Sequence, residues 1–141
     1  MSYYSGPSVA ESITFLTKRM SGVYAKGKVG VPASTREIDE ILEDLRNLYE
    51  SNKPLIDKSA AYSVACLRIQ ANLLFAKQEY QVASQFYILA IDILKNIQFG
   101  SSGAPSFEKM SQIYSLELCP FLKVCEEKKR MGTQTLDPEM R

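Results

Sequence analysis

At 141 residues and 45% apolar content, the chain is one domain by length and can bury roughly two-thirds of the surface its unfolded form exposes. Lys and Arg number 17 against 16 Asp and Glu, a net charge of +1, so no overall field draws it toward nucleic acid or a membrane surface. Histidine is absent, which removes the commonest general base and metal ligand and with them any Ser-His or Cys-His nucleophile.

Gly6, Pro7 and Ser8 lead into a first helix, with Ser8 and Glu11 at capping-box spacing. Val9, Ile13, Leu16, Met20 and Val23 then alternate steps of four and three along one face, and the period fades near Tyr24. Ala25 to Ala33 contains Gly27, Gly30 and Pro32 and reads as a mobile basic loop, with Lys26 to Gly30 its charged part. Ser34 and Glu37 repeat the capping spacing ahead of Ile38, Ile41, Leu42, Leu45, Leu48 and Tyr49, while Glu40, Glu43, Asp44 and Asn47 fall on the opposite, solvent-facing side. Asn52, Lys53 and Pro54 stop this second helix, because proline supplies no N–H and biases its predecessor away from helix.

Charge is unevenly spread over this half. Lys18, Arg19, Lys26 and Lys28 outnumber Glu11 before residue 34, whereas Glu37, Asp39, Glu40, Glu43, Asp44, Glu50 and Asp57 outnumber Arg36, Arg46 and Lys53 after it. The two faces either attract each other within the bundle or serve as one basic and one acidic docking face.

Helix resumes from Leu55, and between Ala60 and Ala76 the residues are apolar on more than one side, the mark of a helix packed between neighbours. A subtle break at Lys77, Gln78 and Glu79 precedes a further helix from Tyr80 to about Gln98, and Gly100 to Pro105 form a flexible linker. A last helix from near Ser106 turns Phe107, Met110, Ile113, Tyr114 and Leu118 inward. Pro120 must kink or interrupt it, and Phe121, Leu122, Val124 and Cys125 add an apolar turn. The fold class is therefore all-α, an irregular antiparallel bundle of about five helices in a single domain over residues 1–131, with 132–141 a flexible tail.

Cys66, Cys119 and Cys125 are odd in number, lie in apolar helical patterns and lack metal-ligand spacing, so they read as reduced core residues. The start of the chain lacks a basic residue and apolar run of secretory form, no stretch nears ~18 uncharged apolar residues, and no Asn-x-Ser/Thr sequon occurs. A cytoplasmic or nuclear protein without stable membrane insertion is expected.

Leu67, Ala71, Leu74, Tyr80, Ala83, Tyr87 and Ala90 form the one specific pattern. The three alanines let two helices approach closely, and the tyrosines fill the wedge beside them. This hairpin, over about residues 64–97, resembles a single degenerate tetratricopeptide repeat. Gln70 stands where that family favours Leu, Gln78 where a turn Gly is common, and Lys95 where Pro usually closes the unit. A lone repeat cannot bury both faces, so the flanking helices must act as partner repeat and cap.

The resemblance implies an inner groove lined by the first helix of the hairpin, through Ala65, Arg68, Ile69, Asn72 and Phe75, and a peptide-binding site at Arg68, Ile69, Asn72 and Phe75. Arg68 and Asn72 match a basic residue and an Asn with which some family members grip a peptide's C-terminal carboxylate. A cation and an amide one turn apart can together donate several hydrogen bonds to a carboxylate. The alternative is structural, with Arg68 paired to an acid such as Asp57 or Glu79 and Asn72 bonded to a loop carbonyl. Tyr80, Ala83, Tyr87 and Ala90 also resemble the middle turn of the microtubule-interacting and trafficking domain, which implies binding of a short amphipathic helix.

No phosphate-binding Gly-rich loop occurs, since Gly27-Lys28-Val29-Gly30 and Gly100-Ser101-Ser102-Gly103 lack its spacing. The carboxylates of Glu40, Glu43 and Asp44 sit on a polar helix face where nothing desolvates them. The expectation is a non-enzymatic adaptor without cofactor or metal, binding a peptide or helix of a protein partner, with self-association possible and nucleic acid not a partner. The competing reading is an obligate structural subunit of a multiprotein complex. Asn72→Ala is expected to weaken partner binding while sparing thermal stability.

Overall fold

The computed structural model describes the backbone of residues 8–31, 34–96 and 111–140, with side chains as far as 131. The chain is all-α, with no strand among the described residues. The linker at 100–105, Phe107 and Met110 lie outside them.

Helix α1 (Val9–Lys28) begins on the expected capping box, in which the Glu11 N–H donates to Ser8 Oγ at 3.1 Å and the Ser8 N–H to the Glu11 carboxylate at 3.0 Å. It runs a turn beyond Tyr24, through residues read from sequence as loop. The Gly30 N–H donates to the Gly27 carbonyl and the Val31 N–H to that of Lys26, with Gly30 at φ +85°. This left-handed cap satisfies the last carbonyls, so the glycine closes the helix from just past its end.

Helix α2 (Thr35–Ser51) is capped by Ser34. The Glu37 carboxylate takes the Lys26 ammonium at 3.1 Å, and Arg19 donates to Asp44 at 2.6 Å, so the basic and acidic halves attract each other along α1 and α2. The break expected around Pro54 is confined to Asn52. A short α3 (Lys53–Lys58) carries the proline in its first turn, where a missing N–H costs nothing.

Helices α4 (Ala60–Ala76) and α5 (Tyr80–Asn96) form the hairpin. Ala71, Ala83, Ala90 and Tyr87 are fully buried between them. A π-helical turn, Tyr114–Leu118, then feeds α6 (Cys119–Met140). Proline at 120 offers no N–H and its ring crowds the carbonyl four residues back. The wide turn absorbs the misfit, with the Cys119 N–H donating to the Tyr114 carbonyl. The backbone is helical to Met140.

Two hydrophobic clusters meet across α4. Cys66, Ile69 and Leu73 pack with α1, α2 and Ile56 of α3, whereas Val64, Ala71 and Leu74 pack with α5 and α6. Such a central helix needs apolar residues all round.

Candidate functional site

At about 100° per residue, successive sectors of α4 meet α5, α6, α1 and α2, and the sector carrying Ser63, Leu67 and Gln70 is left over. Here a cleft of about 750 Å³ opens. Its floor is Ser63, Cys66, Leu67, Gln70 and Leu74 of α4, one wall is Leu42, Leu45, Arg46 and Tyr49 of α2, and the other is Phe86 and Ile93 of α5. Ile56 and Asp57 of α3 close the end near Ser63, and Asp39 and Glu43 form the α2 rim. Val82 and Leu89, 38% and 51% exposed, extend the α5 wall outward.

Sequence and fold together explain this geometry. Helix α5 carries two apolar stripes. Ala83, Tyr87, Ala90 and Leu94 are buried in the hairpin and against α6, while Val82, Phe86, Leu89 and Ile93, spaced by four, three and four, stay exposed or half-buried. Gln70, one of the three departures from the repeat pattern, lies in the cleft floor.

Charges on the α2 rim are paired but remain wet. Arg46 binds Glu43 and, at 3.3 Å, Glu50, while Asp39 takes Lys77 at 2.8 Å. The Lys53 and Tyr49 donors hold the Asp57 carboxyl below its ordinary range. Burial pushes the Cys66 thiol up to about 11, so this cleft residue is no ready nucleophile. No cluster of metal-ligating side chains occurs among the described residues, and no described helix is long and apolar enough to cross a membrane.

The four residues named from the family resemblance lie elsewhere on α4. Ile69 is fully buried in the cluster with α1 and α2, Asn72 is buried, and Phe75 stacks on Phe121 of α6 at 4.8 Å between ring centres. Arg68 makes a two-pronged ion pair with Glu117, one prong at 2.9 Å. The Asn72 amide donates to the same carboxylate at 3.0 Å, accepts the Tyr87 hydroxyl at 2.5 Å, and its backbone carbonyl accepts the Tyr24 hydroxyl at 2.6 Å. Arg68 and Asn72 thus hold a carboxylate, and it belongs to this chain. Neither Asp57 nor Glu79 supplies it, nor does a loop carbonyl occupy Asn72.

A peptide would reach Arg68, Asn72 and Phe75 only with the π-helical turn and α6 displaced, and Ile69 only with α1 and α2 displaced. The half-buried residues that line the cleft, Leu67, Gln70, Phe86 and Ile93, were not among the binding residues expected from sequence. The second stripe on α5 was the signal that could have found Phe86 and Ile93. No protein-family model, curated protein or solved structure matches this chain. The chain is an all-α bundle whose described residues leave a groove open along the central helix.

Proposed function

We propose that this protein is a non-enzymatic interaction module that seats a helix of a partner protein in the cleft over α4, between α2 and α5. The observation that carries the reading is that cleft, whose floor and α5 wall present apolar side chains at helical spacing with no described element across them. A helix-in-groove complex needs such anchors at steps of three and four. The tetratricopeptide resemblance of the hairpin supports the same class of function, through another face of the same helix pair. Three free cysteines fit a reducing compartment, the cytoplasm or nucleus.

The test uses a synthetic amphipathic peptide with leucines at helical spacing, titrated into the isotopically labelled protein. Amide shifts should concentrate at Leu67, Gln70, Phe86 and Ile93. Val82→Glu with Leu89→Glu should weaken binding by about tenfold or more, with the melting temperature nearly unchanged because both side chains are exposed. Shifts confined to the α1 and α6 side would refute the assignment.

A further inference from the structure

We infer that the guest of this groove is a basic amphipathic helix of a different protein, laid with its apolar side on α4 and α5 and its Lys and Arg flank along α2. The inference rests on the groove reading above and adds the chemistry of the partner. The two walls differ in kind. On α5 the cleft is lined by Phe86 and Ile93, and Val82 and Leu89 continue the same helix face beyond it, none of the four charged.

On α2 the wall turns acidic at its rim. Asp39 and Glu43 line the cleft and continue into a shallow depression of about 540 Å³ that also includes Glu40 and Asp44. Helix α2 carries Glu37, Asp39, Glu40, Glu43, Asp44 and Glu50 against Arg36 and Arg46. Each of these acids is already paired with a cation of this chain, so the capacity of the rim for a guest rests on how far Asp39 and Glu43 stay exposed. Asp39 and Glu43 remain 54% and 53% exposed while bound to Lys77 and Arg46, and a carboxylate has about four acceptor positions, enough for a second donor.

A guest with cations on that flank meets opposite charge, whereas an acidic one meets repulsion that grows as the cleft excludes water. The floor from Ser63 to Leu74 is roughly 17 Å long at ~1.5 Å per residue, so three turns of guest helix cover it. A second copy of this chain is poorly equipped for the part. Its basic helical stretches lie on α1 and, with Lys123, Lys128, Lys129 and Arg130, on α6, and the apolar residues they carry, Ile13, Leu16 and Met20 on the one and Phe121 and Cys125 on the other, are already packed within the bundle.

The experiment compares two synthetic peptides of about 18 residues with the same leucine spacing, one with Lys and Arg along a single flank and the other with Glu there. Binding to the full chain is read by fluorescence anisotropy at low salt and at about 0.5 M salt. The basic peptide should bind about tenfold or more tighter than the acidic one, and salt should narrow the gap. Asp39→Lys with Glu43→Lys should reverse the preference, with circular dichroism melting to show the variant folded.

Equal binding of both peptides, still lost on Val82→Glu with Leu89→Glu, would overturn the charge inference and leave the groove reading standing. If neither peptide binds, both fail. A dimer in the absence of peptide, broken by Leu89→Glu, would assign the groove to a second copy. Tighter peptide binding on replacing Phe99 and Phe107 by Ser would assign it to the chain's own 97–110 segment.

Discussion

Asn72 bonds to four other residues from one position on α4, with its amide N–H on Met20 Sδ at 3.5 Å as the weakest of these bonds. Its amide and carbonyl groups engage Glu117, Tyr87 and Tyr24, and among the described residues no buried side-chain nitrogen or oxygen lacks a partner. Truncation would strand the Tyr87 hydroxyl, which is fully buried, and remove a donor from the Glu117 carboxylate. Asn72→Ala should therefore lower unfolding free energy by about 2–3 kcal/mol in urea titration, the opposite of the stability-sparing outcome expected from sequence. A loss below about 0.5 kcal/mol would mean that the network contributes little. The residue types showed an aptitude for a carboxylate. They could not show that the carboxylate lies 45 residues further along the same chain, because that distance is closed only by the packing of α6.

Helix ends carry the next level of argument. The hairpin turns at Gln78, which sits at φ 68°, with its N–H on the Phe75 carbonyl and the Glu79 N–H on that of Leu74. This is the same cap that Gly30 makes after α1, built here on a residue with a Cβ that disfavours the left-handed region. Gln78→Gly should stabilise the protein by about 0.5–1 kcal/mol, visible as a raised denaturation midpoint at unchanged slope. A lowered midpoint would show that the side chain contributes more than the strain costs. Helix starts were legible in Ser8 and Ser34, whose side chains act locally. The ends were less so, since Gly27 and Pro54 are compatible with helix once neighbouring turns satisfy the backbone. The π-helical turn before Pro120 followed from the proline only as an interruption. Its form depends on fitting Glu117 and Phe121 onto the hairpin at once.

At the scale of the whole molecule, the two clusters across α4 enclose ionisable groups in their protonated form. Burial raises the Cys66 and Cys125 thiols from an ordinary 9.0 to about 11. It also moves the Tyr24 and Tyr87 hydroxyls well above their usual range, with nearby charge as a smaller cause. The folded state therefore keeps protons that the unfolded chain releases first. This contribution is complete below about pH 9 and is lost as pH rises toward and through 11. Urea unfolding at stepped pH should show a flat stability up to about 9 and a progressive fall above it. Stability that holds level to pH 11 would contradict the burial of these groups.

Sequence alone determined the all-α class, the starts of the first two helices, the close alanine-lined hairpin and the central role of α4, because each follows from short-range periodicity and side-chain size. Tertiary structure alone decided which face of α4 the described residues leave open. That choice is a remainder, the sector left after α1, α2, α5 and α6 have each taken theirs. No local pattern on α4 distinguishes a face covered by a distant helix from one that is free, since both require apolar residues at the same spacing.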